Sequence, residues 1–220
     1  MKIGPKIGLL LAGCGGYDGS EIHETVLTLL FLDRAGAIVK CMAPDAEQRR
    51  VINHLTQQMP DEKRNVLVES ARIARGDILD IRYVHAGDID GLIIPGGFGA
   101  AINLSDFAVS GPECVVHPDV HRLLTDMLAL SKPVGAMGIA PATVVRAMDG
   151  RPPKVTIGND AGTASGIETM GGIHRDCQVG DICVDQENRI VTTPAYMLGS
   201  TISDVAIGIE KLVQQVLALC

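Results

Sequence analysis

The sequence predicts an α/β protein with a doubly wound, mostly parallel sheet sandwiched by helices. Two observations support this fold class. Continuous apolar runs at 7–12, 90–94 and 133–137 are typical of strands that are buried on both faces, as in parallel sheets. Helical patterns alternate with these runs along the chain. Because no repeat, low-complexity segment or linker divides the 220 residues, we predict a single domain over 1–220.

The first three elements are predicted to be a strand, a helix and a second strand. The strand at 7–12 is followed by Asp18 and Glu21, whose spacing is typical of a capping box at the start of a helix. The apolar face of that helix continues until Gly36, a residue that often ends a helix. Residues 37–42 are predicted to form the second strand.

The middle of the chain is predicted to be less regular. Residues 45–59 are polar, and we predict that they are partly helical. Apolar spacing predicts a clearer helix over 64–74, before the strand at 90–94. Residues 98–116 show little apolar periodicity and are predicted to be an irregular loop, which at that length is often functional. A helix predicted over 118–130 begins at a proline.

The carboxyl-terminal part is predicted to contain a sharp turn and a hairpin. The strand at 133–137 leads directly into a turn and then a helix. Residues 154–157 are predicted to form a strand and residues 165–170 a short helix. Two apolar runs around a polar turn predict a β-hairpin within 181–193. A long terminal helix is predicted over 198–219.

Composition limits the classes of partner and the compartment. The net charge is −7, tryptophan is absent and no extended basic run occurs, so we expect neither nucleic acid nor an anionic membrane as a partner. The first residues lack the long apolar segment of a signal peptide, which predicts a cytoplasmic protein. Six scattered cysteines without a CxxC pair, and histidines without ligand spacing, predict reduced thiols and no metal site.

The functional site is expected where three strands end. In a doubly wound sheet the ligand cleft lies at the carboxyl ends of the strands, and residues 13–19, 95–99 and 137–139 follow three such strands. The last of these segments is a sharp strand-to-helix turn of the kind that presents a nucleophile at its apex. Its apex is Gly138, which has no side chain, so the obvious attacking atom is missing.

Backbone amides and one glutamate are the other main candidates at this site. The amides of Gly96, Gly97 and Ile139 are predicted to form an oxyanion hole. The alternative is that the two glycines only make a tight turn. Glu24 lies one turn into the first helix, from where its carboxyl would reach the apex. In a partly apolar cleft the pKa of this carboxyl would be raised, so that it could exchange a proton with a neighbouring group. The alternative for Glu24 is an ordinary exposed helix residue.

Two further side chains are weaker candidates. Cys14 would be reactive if a helix amino terminus lowered its pKa, although a small buried residue is the favoured interpretation. His174 would either reach the cleft or be structural or exposed. Residues 13–18 match the dinucleotide-binding pattern GxGxxG incompletely, and no P-loop signature is present, so no cofactor is predicted.

Short motifs spread over nearly the whole chain are shared with one known family. The motifs are at 13–15, 18–24, 64–67, 95–101, 139–142, 155–158 and 190–197. With them the chain resembles the ElbB/ES1 proteins, a branch of the DJ-1/PfpI superfamily with a class I glutamine amidotransferase-like, flavodoxin-like fold.

This resemblance implies a glyoxalase, a lyase that converts glyoxal to glycolate without glutathione, and the family name also links it to isoprenoid biosynthesis. It implies a small aldehyde or carboxylate ligand and a homodimer. It further implies a cysteine nucleophile at the elbow, which is the sharp turn between the strand at 133–137 and the following helix. A glutamate assists this cysteine, and backbone amides bind the oxyanion. The corresponding positions in this sequence are Gly138, Glu24, Gly96, Gly97 and Ile139.

The sequence departs from the family pattern at the elbow. The pattern Cys-Ile-Ala-Pro is replaced here by 138–141, Gly-Ile-Ala-Pro, and the histidine that follows the cysteine in PfpI-type members is also absent. A glyoxalase of this type forms a hemithioacetal through a thiolate, which glycine cannot do, so we predict that activity is lost or greatly reduced. The alternatives are a nucleophile moved to Cys14, a non-enzymatic metabolite-binding or regulatory protein, and a glutaminase-like subunit, which also needs the missing cysteine.

Overall fold

A computed structural model describes residues 4–148 and 150–220. Its strands are β1 (Lys6–Leu10), β2 (Ile38–Ala43), β3 (Leu79–Asp80), β4 (Gly91–Ile94), β5 (Val134–Met137), β6 (Lys154–Val155), β7 (Ile173–His174), β8 (Cys183–Asp185) and β9 (Ile190–Thr193). Its α-helices are α1 (Ile22–Arg34), α2 (Val66–Ala74), α3 (Phe98–Ile102), α4 (Phe107–Ser110), α5 (Pro118–Ala129), α6 (Pro141–Ala147), α7 (Ala161–Thr169) and α8 (Ile202–Leu219).

The main sheet has seven strands in the order β3-β2-β1-β4-β5-β9-β8. Its neighbouring strands are parallel except for β8 and β9, which are antiparallel. The predicted doubly wound, mostly parallel sheet and the hairpin within 181–193 are therefore confirmed. The strand order reverses between β1 and β4, which is where ligands bind in sheets of this kind.

Two apolar clusters cover the two faces of this sheet. Leu10 and Leu92 belong to one cluster, whereas Leu9 and Ile93 belong to the other, and all four side chains are fully buried. Successive side chains of a strand point to opposite faces. Burial on both faces therefore explains why β1 and β4 are apolar throughout rather than alternating.

The segment 45–59 was predicted to be partly helical, and this prediction was wrong, because no helix lies there. Two of its backbone N–H groups donate to distant side chains, and the segment bonds to its own carbonyls in a turn at 53–58, where the Gln57 N–H donates to Asn53 O at 2.7 Å. The Ile52 N–H donates to the Asp18 carboxylate at 2.7 Å. The Arg49 N–H donates to the side-chain oxygen of Asn103 at 3.1 Å. The polar composition of the segment therefore reflects tertiary hydrogen bonds rather than an exposed helix face.

Other differences concern short elements. The segment 98–116 was predicted to be irregular, but it contains α3 and α4, which are too short for a periodic pattern. The two-residue strand β3 was missed for the same reason. The strand predicted over 154–157 is limited to β6, which pairs with β7 in a separate small sheet. Helix α7 begins four residues before the predicted start because Asp160 caps it by accepting the Thr163 N–H.

Helix α3 packs directly on the turn that follows β1. The Gly99 N–H donates to Gly19 O at 3.0 Å. The Asn103 side-chain amide donates to Ala12 O at 2.9 Å and to Asp18 O at 3.1 Å. An ideal Cβ on Gly99 would lie only 2.4 Å from Gly19 Cα. Glycine at this position therefore allows the close approach that fixes the start of α3 beside the start of α1.

We expect Gly99→Ala to lower the free energy of unfolding by about 3 kcal/mol or more, the upper end of overpacking costs. The added methyl group meets the backbone of Gly19, which cannot rotate away as a side chain would. Gly87→Ala is the matched control, because Gly87 is exposed and no atom lies within 4 Å of the point that a Cβ there would occupy; we expect it to change stability by about 0.5 kcal/mol or less. Urea unfolding followed by circular dichroism measures both, and equal stabilities would contradict this packing.

Candidate functional site

The strand ends that were predicted to meet lie around one cleft. The cleft has a volume of about 1200 Å³ and includes residues from the segments that follow β1, β4 and β5. Glu24, Gly97, Gly138 and Ile139 all line it. Gly96 contributes its backbone amide to the same site by bonding to Glu24. The fold therefore brings five of the predicted site residues together.

Glu24 places a buried carboxyl in this cleft from the first turn of α1, and only 1% of the residue is exposed. Its Oε2 accepts the Gly96 N–H at 2.7 Å, and its Oε1 accepts the Tyr196 N–H at 3.2 Å. Burial raises the pKa of Glu24 from 4.5 to about 7. The two hydrogen bonds oppose this rise, and the charge of Glu21 adds to it. The carboxyl therefore exchanges its proton near neutral pH.

Gly138 lies at the elbow between β5 and α6, with its backbone in the left-handed region at φ +59°. Its N–H donates to Thr193 O at 3.1 Å, which ties the elbow to the end of β9. An ideal Cβ on Gly138 would lie 3.2 Å from Glu24 Oε1 and 3.4 Å from Oε2. A side chain at position 138 would therefore start in contact with the Glu24 carboxyl.

Two of the three predicted oxyanion donors have no acceptor among the described residues. The Gly96 N–H is already donated to Glu24. Within residues 4–148 and 150–220, the N–H groups of Gly97 and Ile139 have no hydrogen-bond acceptor, and both residues line the cleft. Gly97 has a φ of +87°, and an ideal Cβ there would lie 2.4 Å from the Glu21 nitrogen. Glycine at 97 therefore allows this segment to lie against the start of α1 without a clash.

A histidine–tyrosine pair that sequence reasoning missed forms part of the same wall. His23 Nδ1 lies 2.8 Å from the Tyr196 hydroxyl, and both residues line the cleft. Burial raises the pKa of Tyr196, and the charges of Glu21 and Glu24 add to this rise. His23 lies about 100° around α1 from Glu24, but both residues line the cleft because it is wide. The only signal for Tyr196 in the sequence was its place in the motif at 190–197.

Cys14 and His174 do not line the cleft. Burial raises the pKa of the Cys14 thiol, and the charge of Glu69 adds to the rise. This direction disfavours a thiolate, whereas a reactive cysteine needs a lowered pKa. His174 lies in β7 with a side chain that is largely buried; its Nε2 lies 3.4 Å from the Ile157 nitrogen, and its Nδ1 lies 3.6 Å from Asp176. Neither residue is therefore part of the candidate site.

Neither a cluster of metal ligands nor a membrane-spanning helix occurs in the part of the chain that the structure describes. Within residues 4–148 and 150–220, no three His, Cys, Asp or Glu side chains are grouped so that they could hold a metal ion. None of the helices in these same ranges combines the length and the apolar character needed to cross a membrane.

The sheet order, the elbow after β5 and the buried glutamate of α1 define a protein with a class I glutamine amidotransferase-like fold of the DJ-1/PfpI type. The chain is similar to an Ehrlichia chaffeensis isoprenoid biosynthesis protein with an amidotransferase-like domain, at 38% identity and a TM-score of 0.92, over 98% of this chain and 99% of that chain. It shares the fold alone with glyoxalase III from Candida albicans, at 14% identity and a TM-score of 0.62, over 96% of each chain.

Curated relatives identify the family. The human glutamine amidotransferase-like class 1 domain-containing protein 3, mitochondrial, is 43% identical in an alignment of 224 positions that covers 97% of this chain and 83% of that protein. The rat mitochondrial ES1 protein homolog is 43% identical in an alignment of 225 positions that covers 97% of this chain and 84% of that protein. No protein-family model matches the chain. The chain belongs to the ElbB/ES1 family.

The prediction of a cytoplasmic protein is contradicted by these relatives. The human and rat proteins are named as mitochondrial, and so is the zebrafish ES1 protein, which is 31% identical over 87% of this chain and 77% of its own length. The prediction relied on the lack of a long apolar signal segment. Mitochondrial targeting segments are amphipathic and contain no such segment, so its absence did not distinguish the two compartments.

We expect Glu24 to make stability fall as the pH rises from 4.5 through about 7. The native carboxyl binds its proton more tightly than the unfolded carboxyl, so its contribution is complete below the unfolded pKa of 4.5 and is lost through the folded pKa of about 7. At about 1.4 kcal/mol for each tenfold change in proton affinity, the loss approaches about 3 kcal/mol.

The control for this prediction is Glu24→Gln, which cannot titrate. Other groups titrate equally in both proteins, so the unfolding free energy of the wild type minus that of the variant should fall from pH 5 to pH 8. Chemical denaturation at both pH values measures that difference. A difference that stays constant would show that Glu24 has an ordinary proton affinity.

Proposed function

We propose that this protein binds a small carbonyl or carboxylate metabolite in the cleft of Glu24 and Gly138, and that it lacks the glyoxalase turnover of a cysteine-bearing elbow. The position of Gly138 carries this proposal. A Cβ there would lie 3.2 Å from Glu24 Oε1, so the elbow residue faces the proton-exchanging group. Glycine nevertheless offers no attacking atom at that point.

The glyoxalase reaction expected from the family resemblance depends on such an atom. A thiolate adds to one aldehyde carbon of glyoxal and forms a hemithioacetal. A proton then moves from that carbon to its neighbour, and water hydrolyses the resulting thioester to glycolate. In a serine protease, removing the nucleophile costs on the order of 10⁶-fold in rate. Glycine at the elbow should therefore leave little turnover.

The groups that would bind the ligand do not depend on a side chain at the elbow. The unoccupied amides of Gly97 and Ile139 offer two donors to a carbonyl or carboxylate oxygen. Glu24 in its protonated form offers a third donor, and its pKa of about 7 keeps that form populated near neutral pH. Such a set supports binding of an oxygen-bearing metabolite without chemical conversion.

The other functions considered from the sequence have less support in this cleft. Cys14 does not line it, and burial raises the pKa of that thiol. A glutaminase-like subunit would need the same elbow cysteine as the glyoxalase. The homodimer implied by the family resemblance stays a prediction, as do the expected absences of nucleic acid and membrane partners.

We expect Gly138→Cys to convert glyoxal to glycolate at a rate on the order of 10³-fold or more above wild type, which should remain near the uncatalysed rate. The new thiol would begin beside the Glu24 carboxyl, where a proton acceptor is needed. Glycolate formation, followed by chromatography, measures the rate. Because φ is +59° at this position, the variant should also lose about 1–3 kcal/mol of stability.

Gly138→Ala is the matched control, since it adds the same Cβ and the same backbone strain without sulfur. It should stay at the wild-type rate, and Gly138→Cys combined with Glu24→Gln should lose most of the regained activity. Wild-type turnover equal to that of Gly138→Cys would overturn the proposal.

We expect the wild-type protein to bind glycolate about tenfold more tightly at pH 6 than at pH 8. At pH 6 most Glu24 is neutral and donates a hydrogen bond to the bound carboxylate, whereas at pH 8 the ionised carboxyl repels it. Glu21 and His23 also line the cleft, so the Glu24→Gln variant, which keeps a neutral donor, isolates the contribution of Glu24. Calorimetric titration at both pH values measures the affinity, and equal wild-type affinities would contradict this role.

A further inference from the structure

We propose that Arg50 binds an anionic group of the ligand at a second point of the cleft, so that the ligand is a carbonyl compound that also carries a carboxylate or a phosphate. This inference rests on the proposed function, because it adds a second contact to the same bound molecule.

The cleft has room for a ligand larger than glyoxal. The cleft volume is about 1200 Å³, whereas pockets of roughly 300–1,000 Å³ hold drug-sized ligands. A two-carbon dialdehyde at the elbow would fill only a small part of that space. The residues that line the cleft beyond the elbow therefore indicate which further chemical groups a larger ligand would have.

Arg50 lies on one of these walls with unused hydrogen-bond donors. Its guanidinium carbon lies 5.1 Å from the centroid of the Phe98 ring, and both residues line the cleft. Its Nε is buried without a hydrogen-bond partner, and no carboxylate in the described residues pairs with it. An arginine has five donors that suit planar or tetrahedral anions. Other arginines of the protein do have carboxylate partners, namely Arg49, Arg64, Arg72, Arg82 and Arg122.

The backbone around Arg50 is held in place before any ligand binds. The Gln48 side chain donates to Arg50 O at 2.8 Å. Two residues further on, the Ile52 N–H donates to the buried Asp18 carboxylate at 2.7 Å. Stacking on Phe98 then orients the guanidinium, and Phe98 directly follows the free amide of Gly97. A group that is ordered in advance loses less entropy on binding.

The acidic residues of the cleft do not neutralise this cation. Among the cleft-lining residues that the structure describes, Arg50 is the only arginine or lysine. One oxygen of the Glu21 carboxylate, Oε2, accepts the Glu24 N–H at 2.7 Å at the start of α1, and no ion pair joins this carboxylate to Arg50 in the described residues. Glu24 itself is bonded to two backbone amides. The cleft therefore combines carbonyl-binding amides with one unpaired cation.

The test compares two matched pairs of aldehydes by calorimetric titration of the wild-type protein. The carboxylate pair is butanal and succinic semialdehyde, and the phosphate pair is glyceraldehyde and glyceraldehyde 3-phosphate. We expect the anionic member of at least one pair to bind more tightly. Arg50→Gln should weaken binding of that member by about tenfold to a hundredfold, the range for lost charged hydrogen bonds, and should leave the uncharged member within about twofold.

Arg49→Gln is the matched control, because it removes the same charge from the adjacent residue, which is 58% exposed and does not line the cleft. Its affinities should stay within about twofold of wild type, since an exposed charge is screened. Arg50→Lys should recover part of the lost affinity, and a thermal melt of each variant checks that it is folded.

The outcomes separate this inference from the proposed function. A preference confined to one pair identifies the anion as carboxylate or phosphate and supports the inference. Binding of the uncharged aldehydes without any preference for their anionic partners, or an equal loss in Arg49→Gln, overturns the role of Arg50 and leaves the proposed function standing. No binding of any of the four aldehydes overturns the inference, and the absence of glycolate binding as well overturns the proposed function.

Discussion

The buried carboxyl of Glu24 is the interaction on which the rest of the site depends. It accepts the N–H of Gly96, which follows β4, and the N–H of Tyr196, which follows β9. One side chain of α1 therefore ties together two segments that leave the sheet. A buried polar group without partners costs roughly 1–3 kcal/mol or more, so these donors matter for stability as well as for chemistry. The same burial raises the pKa to about 7.

Two glycines around this carboxyl lack a side chain for different reasons. An ideal Cβ on Gly96 would lie 2.8 Å from both Glu24 Oε2 and Met137 O, and the backbone oxygen cannot move aside, so this position must be glycine. At Gly138 the nearest atom, Glu24 Oε1, would be 3.2 Å away, which a small shift of the carboxyl relieves. A side chain with strained backbone is tolerated at functional elbows. The fold therefore permits a nucleophile at 138 that the sequence does not supply.

Local sequence patterns predicted the buried strands and the elbow, but not the contacts between residues that are far apart in the chain. Apolar runs identified β1, β4 and β5 because strands buried on both faces have few polar positions. The elbow at Gly138 and the approach of Glu24 followed from the rule that clefts lie at strand ends. The second donor to that carboxyl could not be predicted, because Tyr196 lies 172 residues away. Arg50 was missed for the same reason: distant side chains hold its segment, which was predicted to be partly helical.

The proposed function separates binding from turnover at the glycine elbow, because different atoms would perform the two. The amides of Gly97 and Ile139, and the proposed contact of Arg50, act on ligand oxygen atoms whether or not a bond to carbon forms. Only the covalent step needs an atom beyond the Cα of Gly138. Interactions made equally with the bound ligand and the transition state improve affinity without raising the rate constant. Glycine also removes the strain that a side chain would bring at φ +59°. In the proposed function, glycine in place of a thiol therefore leaves both the stability of the cleft and its affinity in place, and the site would hold its ligand rather than consume it.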